Sequence, residues 1–217
     1  MEAALFDMDG LLVDTEPTWT VAQVELVARY GAPFGPDLKA QIVGTRLEVA
    51  VSTMLRHVGA PAAPDEIATE STWLLGRMVQ LFGRGVSLLP GASDLLLALR
   101  AEGVPVALVS SSFRVLVDAV LAQGVGPFDT TVAGDEVPRA KPDPAPYLLA
   151  CARLGVDPTR CVVLEDSPAG ITSGQAAGCA VVAVPSVPGV VVEPAARRLV
   201  AASLVGLRPD DLRELLA

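Results

Sequence analysis

From Val86 onward, short apolar runs alternate with helical stretches, and the turns between them are brief. Val104–Val109 is an unbroken apolar run and is predicted as a buried strand; Thr130–Ala133 is predicted as a short strand, and Cys161–Leu164 and Ala180–Val184 as strands. Helices are predicted between them: Ala92–Arg100 after Pro90-Gly91, Arg114–Ala122 closed by Gly124, Pro144–Leu154 closed by Gly155, and a stretch to Ala177 opened by the capping pair Ser167-Pro168. Strands joined through helices by short turns can pair only in parallel, which constrains this part of the chain to a doubly wound α/β sheet. Ala3–Phe6 supplies one more buried strand at the start. The tail predicts a helix near Glu193–Val200, a strand at Leu204 and a last helix from Asp210.

Residues 15–84 follow another rule. Val21, Val24, Val27 and Ala28 recur at helical spacing up to Gly31, and Pro36 opens a short helix carrying Leu38 and Ile42. Leu47, Val51, Met54, Leu55 and Val58 mark a third helix, and Asp65 to Phe82, with Trp73, Leu74, Met78 and Leu81, a fourth. A four-helix block is thus inserted directly after the first strand. The expected organisation is a Rossmann-like α/β core of residues 1–14 and 85–217, with a helical cap of residues 15–84 over the carboxyl edge of the sheet.

Composition narrows the function. A formal net charge of -9 on 217 residues argues against nonspecific binding of nucleic acid. No apolar run is long enough to span a bilayer, and the first residues carry no basic, cleavable leader, so a soluble cytoplasmic protein with no membrane partner is expected. Cys151, Cys161 and Cys179 are widely spaced in apolar surroundings and are predicted to be reduced core residues. The chain has only two lysines, Lys39 and Lys141.

The chemistry-bearing residues fall at strand ends, where open α/β sheets bind ligands. Asp7 and Asp9 follow the first strand two residues apart, so an extended chain turns both to one side, and Gly10 then permits a sharp turn. Ser110 follows the strand ending at Val109, Lys141 precedes Pro-Asp-Pro, and Glu165-Asp166 follow the strand ending at Leu164. Singly, each has an ordinary reading: a DG turn, a Ser-rich turn, a loop lysine, a strand end beside an N-cap. Together they form an acidic cation site, a neutral donor and a compensating lysine, which is what phosphoryl transfer requires.

The sequence resembles the haloacid dehalogenase-like hydrolases over essentially its whole length, through DMDGLLVDTE at 7–16, VSSS at 109–112, AKPDP at 140–144 and LEDSPAGI at 164–171. It is most similar to the branch with a helical cap that includes β-phosphoglucomutase and sugar-phosphate phosphatases. The resemblance implies that Asp7 attacks phosphorus and that Asp9 serves as acid and then base. It implies Mg²⁺ held by Asp7, the Asp9 carbonyl, Asp166 and Glu165, with Ser110 and Lys141 neutralising the phosphoryl group. Glu16 and Arg46 in the helical block, and Ser111 and Arg114 beside the serine turn, are the implied substrate contacts. Residues 14–20 read DTEPTWT, without the hinge histidine of the mutase. A monomeric Mg²⁺-dependent phosphatase of a small phosphorylated metabolite is therefore expected. The alternatives are a phosphosugar mutase and a catalytically silent binding domain on the same scaffold.

Overall fold

The computed structural model describes residues 1–186 and 191–217. The chain forms two compact units, one of Met1–Asp14 with Val86–Ala217, the other of Thr15–Gly85.

In the first unit, the strands are β1 (Ala3–Phe6), β2 (Val106–Val109), β3 (Thr130–Val132), β4 (Cys161–Glu165), β5 (Ala180–Ala183) and β6 (Arg198–Val200). They pair in parallel in the order β3-β2-β1-β4-β5-β6. The order reverses direction between β1 and β4, the position at which a doubly wound sheet opens a crevice beyond its carboxyl ends. Phe6 lies in register with both Leu108 and Leu164, so β1, β2 and β4 finish level with one another. The four central strands are buried throughout. On one face Ala3, Leu5, Val109, Val163 and Val181 pack with Tyr147, Ala150, Cys151 and Ile171. These last four lie on α7 (Ala145–Leu154) and α8 (Pro168–Ala176). Period-two alternation sends Phe6 to the other face, where it meets Phe128 edge-on at 6.4 Å between ring centroids. The three cysteines are free and buried, as their apolar context predicts.

The remaining helices of this unit are α5 (Ala92–Ala101), α6 (Arg114–Leu121) and α9 (Pro209–Glu214). The tail departs from expectation. Glu193–Val200 does not form a helix: Ala195 and Arg198 exchange backbone hydrogen bonds around Arg197, whose φ is +59°, and Arg198–Val200 then becomes β6. Leu204 is a buried turn residue and not a strand. β5 would otherwise expose its ladder of N–H and C=O groups, and pairing that edge outweighs the helical preference of Pro-Ala-Ala-Arg-Arg.

The second unit consists of α1 (Glu16–Ala28), α2 (Pro36–Ile42), α3 (Leu47–His57) and α4 (Pro64–Phe82). α1 and α3 both pack on α4, and α2 packs on α3. Leu26, Val27, Leu38, Val51, Met54, Leu55, Leu74 and Met78 are buried. Polar clamps supplement this apolar core. Arg29 bonds Glu70 at 2.6 Å and lies 4.4 Å from the Trp73 ring, and Arg77 bonds Glu25 at 2.7 Å. Lys39 joins α2 to α1 through Thr20, Gln23 and an ion pair with Glu16.

Candidate active site

Residues Met8–Val13 fold back on themselves directly after β1. The N–H groups of Leu12 and Val13 both donate to the Met8 carbonyl, and that of Gly10 donates to Val13. This tight turn needs φ = +83° at Gly10, where a Cβ would also stand 2.2 Å from Asp166 Oδ2, so no other residue fits. Leu11 and Leu12 are buried, and the Leu12–Asp14 stretch pairs with Ser87–Leu89, which holds the departing and returning chains side by side.

The turn leaves Asp7 at the mouth of the crevice, its N–H bonded to the carbonyl of Leu164. Lys141 stands over it, with only 3% of its side chain exposed. Its Nζ donates to Asp7 Oδ1 at 2.6 Å, Glu165 Oε1 at 2.6 Å and the Val109 carbonyl at 2.8 Å. All three ammonium protons are thus directed. Burial opposes the lysine's charge, but Asp7 and Glu165 more than offset it, and its pKa stays above the ordinary lysine value. The loop carrying Lys141 is tied down by Ser173 of α8, whose hydroxyl donates to the Asp143 carbonyl at 2.6 Å.

Glu165 is fully buried and surrounded by donors. Oε1 accepts from Lys141 and from the Tyr147 hydroxyl, the latter at 2.8 Å. Oε2 accepts from the N–H groups of Asp166 and Ser167 and from the Ser167 hydroxyl. The same Ser167 oxygen caps α8 by accepting from the N–H of Gly170. A Cβ at Gly170 would lie 1.7 Å from Glu165 Oε1, so the glycine lets this carboxylate rest against the first turn of α8.

Asp7, Glu165 and Asp166 can each present one oxygen within 4.8 Å of the others. One lysine cannot balance three buried carboxylates. Burial, despite Lys141, and repulsion from Glu165, Asp166 and Asp9 raise the Asp7 pKa well above the carboxylate range. Burial raises that of Asp166 to about 6, against a hydrogen bond from Ser186 and with repulsion from Glu165. This excess of buried negative charge on hard oxygen donors fits a divalent cation such as Mg²⁺.

The serine turn faces the second aspartate. Ser110 and Ser112 donate hydroxyl hydrogen bonds to Asp9 Oδ2 at 3.1 and 2.9 Å, and the Ser112 N–H closes onto the Ser110 hydroxyl. Ser111 is exposed, and its carbonyl lies against Gly134, where a Cβ would come within 2.1 Å.

Arg114 stands at the start of α6. Its guanidinium is engaged by Glu136, Asp118 and Thr131, and its N–H by Asp135. The arginine therefore locks the start of α6 to the segment after β3. Glu136, although burial opposes its charge, also accepts from the Ala133 N–H and pairs with Arg114 and Arg153, which brings its pKa down to about 2. A depressed carboxylate pKa stabilises the fold above its unfolded value and loses that contribution as pH falls from about 4.5 to about 2. Glu136→Gln is expected to remove about 1–3 kcal/mol at pH 7, because the side chain is partly screened by solvent, and almost nothing at pH 2. Urea unfolding at both pH values measures this.

Glu16 and Arg46 belong to the helical unit. Glu16 begins α1 and pairs with Lys39, whereas Arg46 is exposed at the N-cap of α3. His57 is exposed and contacts the Pro33 carbonyl. Three polar residues at the crevice escape sequence reasoning. Ser112 is present in the motif but looks like loop, Tyr147 reads as an apolar helix residue, and Ser186 lies twenty positions from the aspartate it bonds.

Residues 1–178 match the family model of haloacid dehalogenase-like hydrolases. Hexitol phosphatase A of Escherichia coli is 40% identical over 182 residues, 83% of this chain and 81% of that protein. Phosphorylated carbohydrates phosphatase of Thermotoga maritima is 31% identical over 82% of each chain. Among solved structures, a CbbY mutant from Rhodobacter sphaeroides in complex with Xylulose-(1,5)bisphosphate superposes with a TM-score of 0.81. It has 29% identity over 95% of this chain and 96% of the other. Among the described residues, no helix is long and apolar enough to cross a membrane.

Proposed function

The chain belongs to the haloacid dehalogenase-like hydrolase family, and from that premise we propose that it is a Mg²⁺-dependent phosphatase of a small phosphomonoester, a sugar or related metabolite phosphate. The observation that carries this reading is Lys141 bridging Asp7 and Glu165 at the sheet's switch point, with Asp9 two residues beyond Asp7. The names of the curated relatives, a hexitol phosphatase and a phosphorylated carbohydrates phosphatase, support the substrate class.

In this reading Asp7 is the nucleophile. A carboxylate oxygen attacks phosphorus, the bond to the leaving oxygen breaks, and Asp9 gives that oxygen its proton. Asp9 then takes a proton from water, the water oxygen attacks phosphorus, and the bond to Asp7 breaks to release inorganic phosphate. The Ser110 hydroxyl, which donates to Asp9 Oδ2, would turn to a phosphoryl oxygen as a neutral donor, with the exposed Ser111 beside it. Lys141 opposes the rise that burial imposes on the Asp7 pKa, and it adds positive charge where the transition state gathers negative charge. Asp7, Asp166 and the Asp9 carbonyl would hold Mg²⁺, with Glu165, whose oxygens are occupied by donors, acting through Lys141 or a water. Bound there, Mg²⁺ would neutralise phosphoryl charge and orient the ester. The helical unit is the proposed cap, and its exposed Glu16 and Arg46 are the candidates for selecting the leaving group.

The test is phosphate release from a broad panel of phosphomonoesters with and without Mg²⁺. Turnover that requires Mg²⁺ is expected, with polyol or sugar phosphates among the better substrates. Interconversion of β-glucose 1-phosphate and 6-phosphate outpacing phosphate release would replace this reading with a mutase. Cation binding should also show in stability. Asp166 titrates near 6, above its unfolded value, so in the metal-free protein its contribution to stability declines as pH rises from about 3.8 through 6. The cation requires the ionised form, so the rise in Tm produced by 5 mM Mg²⁺ should be small at pH 5 and larger at pH 7.5. A pH-independent rise would contradict a site built on Asp166.

A further inference from the structure

β5 does not stop pairing with β4 at its last strand residue. Val184 donates its N–H to the Glu165 carbonyl at 2.7 Å, and the Ser186 N–H approaches the Asp166 carbonyl at 3.4 Å. This extension carries Ser186 beside Asp166, where its hydroxyl donates a hydrogen bond to Oδ2 of the carboxylate. The Cα of Gly10 closes the space beside this hydrogen bond, since a Cβ there would sit 2.2 Å from the same Oδ2 and 3.0 Å from the Ser186 oxygen. Asp166 is itself buried, 6% exposed, and no arginine or lysine is hydrogen-bonded to it among the described residues. One of its oxygens is therefore held by a hydroxyl and crowded by a glycine, and the other is left to ligate.

We propose that Ser186 is a positioning residue for the cation site: by fixing Oδ2 it presets the rotation of the Asp166 carboxylate, so that the remaining oxygen is aimed before metal arrives. A free aspartate would have to be ordered during binding, and outer-shell partners that supply such order are worth about 10–100-fold in metal affinity. Ser186 touches neither the reacting phosphorus nor the nucleophile in this arrangement and acts only through Asp166. The serine itself is exposed, so its hydroxyl is not needed by the core.

The inference rests on the reading of Asp7 and Asp166 as a Mg²⁺ site, and its test separates the two. Mg²⁺ affinity is measured by titration calorimetry in the absence of substrate, for the wild type, Ser186→Ala and Ser186→Thr. Wild-type and Ser186→Ala apoproteins should melt at the same temperature. Ser186→Ala should bind Mg²⁺ about tenfold or more weakly, whereas Ser186→Thr, which keeps the hydroxyl, should return to within about threefold of wild type. Equal Mg²⁺ affinity in Ser186→Ala and wild type would overturn the positioning role alone. Weak binding by both Ser186→Ala and Ser186→Thr, each with an unchanged apoprotein Tm, would overturn it too, because the hydroxyl would then not be what matters. Failure of the wild type to bind Mg²⁺ would overturn the metal site and the inference together.

Discussion

Lys141→Met is expected to lower stability by about 3–5 kcal/mol at pH 8 and to abolish phosphate release, because it leaves two buried carboxylates without their cation. Nζ makes three hydrogen bonds of 2.6–2.8 Å, and a methionine of similar length fills the space without replacing one. Glu165 keeps the Tyr147 hydroxyl and the donors of the following turn, whereas Asp7 loses its only cationic hydrogen-bond partner among the described residues. Without the lysine, the charge that opposes burial at Asp7 is gone, and its carboxyl holds its proton still more tightly in the folded state than in the unfolded chain. Its contribution to stability therefore falls as pH rises, and the defect should be smaller at pH 5 than at pH 8. Urea unfolding in EDTA at the two pH values measures it. Lys141→Arg should not rescue activity, since a planar guanidinium cannot direct three donors from the point that Nζ occupies. Wild-type stability of Lys141→Met at pH 8 would mean that the lysine is not what makes the buried cluster tolerable.

Asp7→Asn should leave the apoprotein folded while lowering phosphate release on the order of 10⁴-fold or more. Lys141 retains Glu165 and the Val109 carbonyl, and one member of an over-charged cluster becomes neutral, so the apoprotein Tm should not drop. The activity loss follows because an amide cannot carry the phosphoryl group. Asp9→Asn removes proton transfer but keeps the nucleophile, so its loss should be smaller, about 10²–10⁴-fold. Label from a ³²P-ester, quenched in acid and released by hydroxylamine, should appear on the wild type and on Asp9→Asn but not on Asp7→Asn. Label on Asp7→Asn would place the nucleophile elsewhere.

Most of the sheet, and the polar residues that gather beyond its carboxyl ends, could be read along the chain. Buried strands such as Val106–Val109 and Cys161–Glu165 are short apolar runs bounded by glycine and polar turns, and that pattern has few other solutions. Asp7, Asp9, Ser110, Lys141 and Glu165-Asp166 were legible because chemistry in this architecture collects at strand ends, and strand ends can be read along the chain. The four helices of Thr15–Gly85 were legible from their apolar spacing.

Tertiary structure decided what depends on partners distant in sequence. The bonds from the Arg114 guanidinium to Glu136 and Thr131 arise only because β3 brings that segment beside α6. The stretch before Val200 has helical composition, yet the open edge of β5 made a strand of its end, because an unpaired ladder is a stronger local demand than residue preference. Tyr147 and Ser186 acquired their roles at Glu165 and Asp166 only through packing of α7 on the sheet and the extension of β5 along β4. A hydrogen bond between residues eighteen or twenty positions apart leaves no periodicity in the sequence. The residue types at strand ends are encoded locally, and the supports that aim them are fixed only when the strands come together.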